Sequence, residues 1–219
     1  MAKIDTLLFD LDGTLIDSND LIIETFRLTL QTYLPKRVFS KEELIALVGP
    51  PLFETFQMIS KDQFIIQNAI ETYRQIYTDL EFKYIDIYPS VLFMLEYFKK
   101  KGFHIGIVTT KFRVSALPSL KHFKIDEWID VLIGLDDVTH HKPHPESIYK
   151  ALSCFNHQEA IMIGDSSSDI LAGFNAGILT CGLDWSIKRE ELLALHPNFW
   201  IKNYIDLILL VEEYNKEET

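Results

Sequence analysis

The chain begins with an apolar segment that leads into a polar turn. Residues 3–9 contain the run Leu7-Leu8-Phe9 and stop at Asp10, a pattern typical of a strand covered on both faces of a sheet. The segment Leu11-Asp12-Gly13-Thr14-Leu15 follows and indicates a tight turn. We therefore predict a buried first strand that presents Asp10 at its carboxyl end.

Residues 18–85 have the spacing of helices and no strand pattern. Ser40 and Glu43 form a capping box at the start of one helix, and Gly49-Pro50-Pro51 ends it. A longer helix is predicted from an apolar stripe at Ile66, Ile70, Tyr73, Tyr77 and Leu80. We interpret this region as an all-helical insertion.

After Pro89 the pattern alternates between strands and helices. The predicted strands cover 104–108, 131–134, 160–163 and 178–181, and the predicted helices cover 91–101, 145–155 and 169–176. This alternation favours a parallel sheet with helices on both faces.

The fold class follows from these patterns. We predict an α/β fold, a Rossmann-like parallel sheet with helices on both faces, and an inserted all-α domain. Residues 1–17 and 86–219 form the α/β domain in this prediction, and 18–85 form the helical one. Two connections lying close together permit a hinge, so the insertion could act as a lid.

Charge narrows the choice of partners. The 219 residues include 21 Lys and Arg against 32 Asp and Glu, which gives a formal net charge of −11. Such a chain should be repelled by nucleic acid and by anionic membranes. Its apolar runs are too short to cross a bilayer, and its first residues lack secretory features, so we expect a cytoplasmic location. An anionic substrate would need a metal ion or a few well-placed cations.

The two cysteines, Cys154 and Cys181, are isolated in the sequence. They form neither a disulfide framework nor a zinc motif. We expect both to be buried, unreactive thiols.

Reactive polar residues follow several of the predicted strands. Asp10, Thr109-Thr110 and Asp165 end three strands, and Lys142 lies in the turn after a fourth. Ligands of open α/β sheets bind at the carboxyl ends of the strands, so a parallel sheet would bring these groups together. Each alone suits an ordinary turn, cap, strand end or solvated charge, but the joint set favours an active site.

Three histidines, His140, His141 and His144, surround Lys142 in the sequence. They superficially resemble a metal cluster, but their spacing matches no standard zinc site. We interpret them as a polar loop around the lysine.

Together these residues resemble the four motifs of the haloacid-dehalogenase superfamily of phosphohydrolases. The motifs are Asp10-Leu11-Asp12-Gly13-Thr14, then Thr109, then Lys142, then Gly164-Asp165 with Asp169. The ordered set spans nearly the whole chain. The resemblance implies a phosphohydrolase with a helical cap domain.

The resemblance also implies roles for the carboxylates. Asp10 would attack phosphorus and form an aspartyl-phosphate, while Asp12 would act as general acid and then as general base. A magnesium ion would be bound by the Asp10 side chain, the Asp12 backbone carbonyl and Asp165. Asp169 would orient ligands or waters without direct coordination.

The phosphoryl group would be held by the remaining motif residues. Thr109 and Thr110, with neighbouring backbone N–H groups, would donate to its oxygens, and Lys142 would supply a point charge.

The helical insertion resembles the cap of the phosphoglycolate phosphatase and β-phosphoglucomutase branch. Within that branch the chain is most similar to the bacterial inorganic pyrophosphatase of this superfamily, although Ser166-Ser167-Ser168 departs from that pattern. The turn at Gly49 and Pro50 would contribute to substrate specificity. Lys111 would bind the distal phosphate of pyrophosphate, with Arg113 as the alternative.

Several alternatives remain open from sequence alone. The substrate could be phosphoglycolate or another small phosphomonoester, and a mutase would use the same core residues. A non-catalytic phosphate-binding regulator is the alternative of a different class. We expect a small phosphorylated substrate or pyrophosphate as the partner, and a monomer or weak homodimer.

Overall fold

The structure, a computed structural model, describes residues 3–217, apart from the side chain of Glu217. The chain divides into two compact units. Residues Asp17–Asp86 form one unit, and the segments before and after it form the other. Among the described residues, no helix combines the length and apolar character needed to span a membrane.

The larger unit is built on a six-stranded, fully parallel sheet in the order β5-β4-β1-β6-β7-β8. A separate pair, β2 and β3, lies at the boundary of the two units. The strands are β1 (Ile4–Phe9), β2 (Ile16–Asp17), β3 (Asp86–Ile87), β4 (His104–Val108), β5 (Val131–Ile133), β6 (Glu159–Gly164), β7 (Leu179–Leu183) and β8 (Phe199–Ile201).

The apolar runs form strands because helices cover both faces of the sheet. Leu7, Leu8 and Phe9 of the central strand β1 are all fully buried. One core cluster joins Leu8 to neighbouring strands and helices through Val108, Ile133, Ile148, Ala151, Met162 and Ala172. This core fixes the strand ends that carry the polar residues.

The smaller unit is entirely helical apart from its boundary strands. Its helices are α1 (Asn19–Tyr33), α2 (Lys41–Ile45), α3 (Leu52–Ile59) and α4 (Gln63–Tyr84). The predicted capping box is present, since Ser40 accepts from the Glu43 backbone and Glu43 accepts from the Ser40 backbone. The interior is aromatic: the Phe26 ring lies 4.7 Å from Tyr73 and 5.9 Å from Phe56 between centroids.

The helices of the larger unit each follow one of the strands β3 to β8. They are α5 (Val91–Lys100), α6 (Arg113–His122), α7 (Glu146–Leu152), α8 (Ser167–Ala176), α9 (Arg189–Ala194) and α10 (Tyr204–Glu217). The last helix returns to β1, where the Asn215 side chain accepts from Ile4 N and donates to Ile4 O, both at 2.8 Å.

The predicted fold class is confirmed, but several elements were not predicted, among them α6, β8 and α10. Helix α6 contains Pro118 and lacks an apolar stripe, so its sequence has no helical periodicity. Strand β8 has three residues, too few for a period-two pattern, and α10 follows it.

The prediction for the cysteines is confirmed at one position and wrong at the other. Cys181 lies in β7 and is fully buried, and burial raises the pKa of its thiol. Cys154 is exposed, because it follows the end of α7 in a surface turn.

Candidate active site

The segment after β1 folds into the predicted tight turn. Leu15 N and Ile16 N both donate to Leu11 O, and Gly13 N donates to Ile16 O at 2.8 Å. Gly13 has a φ of +76°, and a Cβ at this position would lie 2.3 Å from Asp165 Oδ2. Glycine is therefore required here both for the backbone conformation and for the close approach of Asp165.

The parallel sheet brings the ends of three adjacent strands together. Asp10 follows β1, Thr109 follows β4 and Asp165 follows β6, in the central order β4-β1-β6. All three residues are less than a tenth exposed. The structure thus gathers at one rim three residues that are spread over more than 150 positions of the sequence.

Lys142 enters this rim from the loop after β5. Its ammonium donates to Asp10 Oδ1 at 2.9 Å, to Val108 O at 2.8 Å and to Asp169 Oδ1 at 2.5 Å. All three donors of the ammonium have acceptors, and the side chain is only 2% exposed. The lysine is therefore held in one position against Asp10.

Asp169 is fully buried and accepts hydrogen bonds from two residues, Lys142 and Ser166. While Oδ1 accepts from Lys142, Oδ2 accepts from Ser166 N at 3.0 Å and from Ser166 Oγ at 2.6 Å. This capping box starts α8 and links the lysine to that helix. Ser166, which departs from the family pattern, thus positions Asp169.

The rim has an excess of buried negative charge. Burial raises the pKa of Asp10 to about 7 despite the opposing charge of Lys142, and burial with the nearby Asp10 raises the pKa of Asp165 well above its usual range. Burial alone would lower the pKa of Lys142, but Asp10 and Asp169 outweigh it and hold that pKa above its ordinary value. One ammonium faces three carboxylates, so the site favours a further cation.

The donor set suits a hard divalent cation. Asp10, Asp165 and Asp169 each offer a carboxylate oxygen within 4.8 Å of the others. Oxygen-only ligands are those that Mg²⁺ prefers. Thr14 Oγ1 donates to Asp165 Oδ1 at 3.3 Å and orients that carboxylate. The Asp12 side chain lies outside this set.

The segment after β4 contributes a hydroxyl and a second cation. Thr109 is buried, and its Oγ1 accepts from Lys111 N at 3.1 Å, with Thr110 between them. Lys111 Nζ lies 3.5 Å from Asp12 Oδ1. The Arg113 guanidinium, the alternative cation, is instead bonded to Leu132 O and Asp137.

The predicted specificity turn lies in the helical unit. Gly49 and Pro50 fall between α2 and α3, and Gly49 has a φ of +110°. The Thr55 hydroxyl contacts Pro50 O at 3.5 Å and Pro51 O at 3.3 Å, which steadies the turn.

Three residues that support the rim were missed as site residues by sequence reasoning. Trp185 Nε1 donates to Gly13 O at 3.1 Å, Ser186 Oγ donates to Asp165 O at 2.6 Å, and Tyr204 OH donates to Thr14 O at 2.7 Å. Tyr204 is buried and packs its ring on Trp185, 5.3 Å away between centroids. A lone tyrosine in an apolar segment gives no sequence pattern that points to this contact.

Known proteins resemble this chain over most of its length. A family model described as haloacid dehalogenase-like hydrolase matches residues 7–183. A protein named Pyrophosphatase PpaX from Bacillus anthracis is 41% identical over 217 residues, covering 98% of this chain and 99% of the relative. The protein of that name from Anoxybacillus flavithermus is 43% identical over 212 residues, covering 95% and 97%.

Solved structures share the fold. The crystal structure of a predicted phosphatase from Clostridium acetobutylicum matches with a TM-score of 0.84 and 27% identity, covering 97% of this chain and all of the other. A predicted phosphoglycolate phosphatase from Haemophilus somnus, at 22% identity and a TM-score of 0.85, shares the fold.

Proposed function

The chain belongs to the haloacid dehalogenase-like hydrolase family and acts on phosphoric ester or anhydride bonds, and from this premise we propose that it is a magnesium-dependent pyrophosphatase that works through an aspartyl-phosphate on Asp10. The observation that carries the proposal is the hydrogen bond of 2.9 Å between Lys142 Nζ and Asp10 Oδ1 at the buried rim. It puts a fixed positive charge beside the reacting carboxylate.

In the first step, a free Asp10 oxygen attacks phosphorus and the leaving oxygen departs. Lys142 neutralises charge on the transferring group, while the Thr109 hydroxyl and nearby backbone N–H groups, with Thr110, hold its oxygens. Trp185 and Tyr204 help to hold the turn in place by donating hydrogen bonds to its Gly13 and Thr14 carbonyls.

Asp12 handles the protons in both steps. Its carboxyl is partly exposed and lies two residues beyond Asp10, where it can protonate the leaving oxygen. In the second step the same carboxylate takes a proton from the water that attacks the aspartyl-phosphate. Hydrolysis then regenerates Asp10 and releases phosphate.

Asp10, Asp165 and the Asp12 backbone carbonyl are the ligands we assign to Mg²⁺. The bound ion would supply positive charge that offsets the repulsion between the carboxylates and the phosphate. Asp169 holds Lys142 and Ser166 with its two oxygens, and we assign it a positioning role.

Inorganic pyrophosphate is the substrate that best fits the surroundings of the rim. Full-length relatives at 41–43% identity are named pyrophosphatases. Lys111 Nζ lies beside Asp12, where a second phosphate joined to the transferring one would need a cation. Gly49 and Pro50 are proposed to add specificity from the helical cap.

A substrate panel tests the proposal directly. Phosphate release from pyrophosphate, phosphoglycolate and sugar phosphates should be measured with Mg²⁺ and again with a chelator. We expect the highest kcat/KM for pyrophosphate and loss of turnover with the chelator. A clear preference for phosphoglycolate would contradict the substrate, and full activity in the chelator would contradict the metal.

Lys111→Met sharpens the substrate test. We expect the KM for pyrophosphate to rise about tenfold, since a charge-assisted hydrogen bond is lost. The KM for p-nitrophenyl phosphate, which has no distal phosphate, should change little. Lys121→Met, at an exposed lysine in the last turn of α6, is the matched control. Equal effects on the KM of both substrates would show that Lys111 does not determine substrate specificity.

A further inference from the structure

A second cluster of metal-binding groups lies on the loop that carries Lys142. His140, His144 and Glu146 each offer one ligand atom, and these atoms lie within 4.8 Å of one another. The two imidazole rings are 4.7 Å apart between centroids. His141, which is adjacent in sequence, is outside this cluster, and Glu146 is the member that histidine spacing alone did not reveal.

The carboxylate of this cluster is fixed in place by the backbone. Glu146 Oε1 accepts from Thr139 N at 2.8 Å, and Oε2 accepts from His140 N at 2.9 Å. These bonds lower the pKa of Glu146 to about 2, so it is anionic at every physiological pH. His140 Nδ1 lies 3.0 Å from Oε2, and His144 Nδ1 accepts from Glu146 N at 3.3 Å.

The cluster is open to ions from solution. The His140 side chain is 64% exposed, and both histidines line a surface cleft of about 570 Å³ that also includes Thr139, Pro145 and Asn175. Ligand atoms around a tetrahedral ion with bonds of about 2.1 Å lie roughly 3.4 Å apart. Exposed rings can reach that spacing by side-chain rotation, because core packing does not restrict them.

We propose that His140, His144 and Glu146 form a binding site for a late first-row transition metal ion such as Zn²⁺ or Ni²⁺. Two imidazole nitrogens with one carboxylate oxygen match the ligand preference of these ions. The buried rim offers carboxylate oxygens, which suit Mg²⁺. The two sites therefore differ in ligand type, even though both involve the loop around Lys142.

An ion bound here would brace the lysine loop. His140 and His144 lie two residues before and two residues after Lys142, so coordination ties both flanks of the lysine to the start of α7 through Glu146. Binding to the folded state alone raises stability in proportion to the logarithm of ion concentration. The expected consequence is a more stable protein with the lysine kept in place.

Calorimetric titration of the untagged protein with Ni²⁺, in excess Mg²⁺ to saturate the rim, tests the site. We expect one Ni²⁺ per chain and a higher Tm with Ni²⁺. His140→Gln and His144→Gln should each weaken binding about tenfold or more. This readout needs no turnover, so it stands apart from the proposed function.

His157→Gln is the matched control, because His157 is exposed and lies just before β6, at the amino end of that strand, whereas the lysine loop lies at the carboxyl ends of the strands. It should bind Ni²⁺ like the wild type. Circular dichroism verifies that each variant is folded. Absence of Ni²⁺ binding to the wild type, or equal binding by His140→Gln, His144→Gln and the wild type, would overturn the proposal.

Discussion

The rim of the α/β sheet and the interior of the helical unit both contain buried side chains, but of opposite kinds. The rim buries Asp10, Lys142 and Asp169 in direct contact, with Asp165 close by. The helical interior buries aromatic rings, with Phe26 at its centre.

The two kinds of buried side chain contribute differently to reactivity and to stability. Burying charge is costly unless every charge is paired, so the rim gains a reactive carboxylate at the expense of stability. Burying aromatic rings is favourable through area and packing. Substitutions at the rim should therefore lower kcat. Substitutions in the helical interior should lower the free energy of unfolding.

Asp10→Asn should have the largest effect. We expect kcat to fall by about 10⁴-fold or more, because an amide oxygen is a poor nucleophile. The shape is kept, so the circular dichroism spectrum should match the wild type. Phosphate release is the measurement, and Asp126→Asn, at an exposed aspartate, is the control. Wild-type turnover in Asp10→Asn would show that Asp10 is not the nucleophile.

Lys142→Met should lower both kcat and the free energy of unfolding. We expect kcat to fall by about 10³-fold. The free energy of unfolding should fall by about 3–5 kcal/mol, because Asp10 and Asp169 are left buried without their cation. Urea unfolding in a chelator measures the second effect.

The double variant Asp10→Asn with Lys142→Met provides the control. It should recover part of the lost stability, since one of the two unpaired carboxylates is gone. A double variant less stable than Lys142→Met would show that charge pairing is not what the lysine contributes.

Phe26→Ala tests the other side of the comparison. We expect the free energy of unfolding of the helical unit to fall by about 3–5 kcal/mol, through lost burial and the cavity left among the rings. Urea unfolding followed by circular dichroism measures the loss. Phe64→Ala, at a ring that is 77% exposed on α4, should cost less than about 0.5 kcal/mol. Equal costs would contradict the assignment of the aromatic interior.

Tyr204→Phe should have the smallest effect. Loss of its hydroxyl leaves Thr14 O without that bond and should cost about 1 kcal/mol in stability, with kcat lowered about fivefold. Kinetics and urea unfolding measure the two effects. Tyr149→Phe removes a hydroxyl that bonds Asn175 O on an exposed side chain, and it should be silent. An unchanged kcat in Tyr204→Phe would limit Tyr204 to a structural role.

Sequence reasoning succeeded where the information is local. Local sequence patterns predicted three features, because each depends on neighbouring residues. They are the apolar run before Asp10, the turn through Gly13 and the Ser40 capping box. The convergence of Asp10, Lys142 and Asp165 followed from the single rule that parallel strands end at one edge.

Sequence reasoning failed where distant segments meet. Tyr204 reaches Thr14 across 190 positions, and Trp185 reaches Gly13 across 172, with no spacing rule to connect them. Glu146 is different, since it is near the histidines in sequence, but hydrogen bonds from the loop backbone and no spacing rule place its carboxylate beside them. Packing and loop geometry determine these contacts, and neither is encoded in periodicity.

The pair of hydrogen bonds between Asn215 and Ile4 has a consequence for chain connectivity. Because the two residues bond each other twice, both ends of the described chain lie side by side. Proteins with adjacent ends commonly tolerate circular permutation. A short glycine–serine linker could join the ends, with a new opening at the exposed turn near Lys36 and Arg37. The segments would then leave the ribosome in a different order, while each strand kept its neighbours.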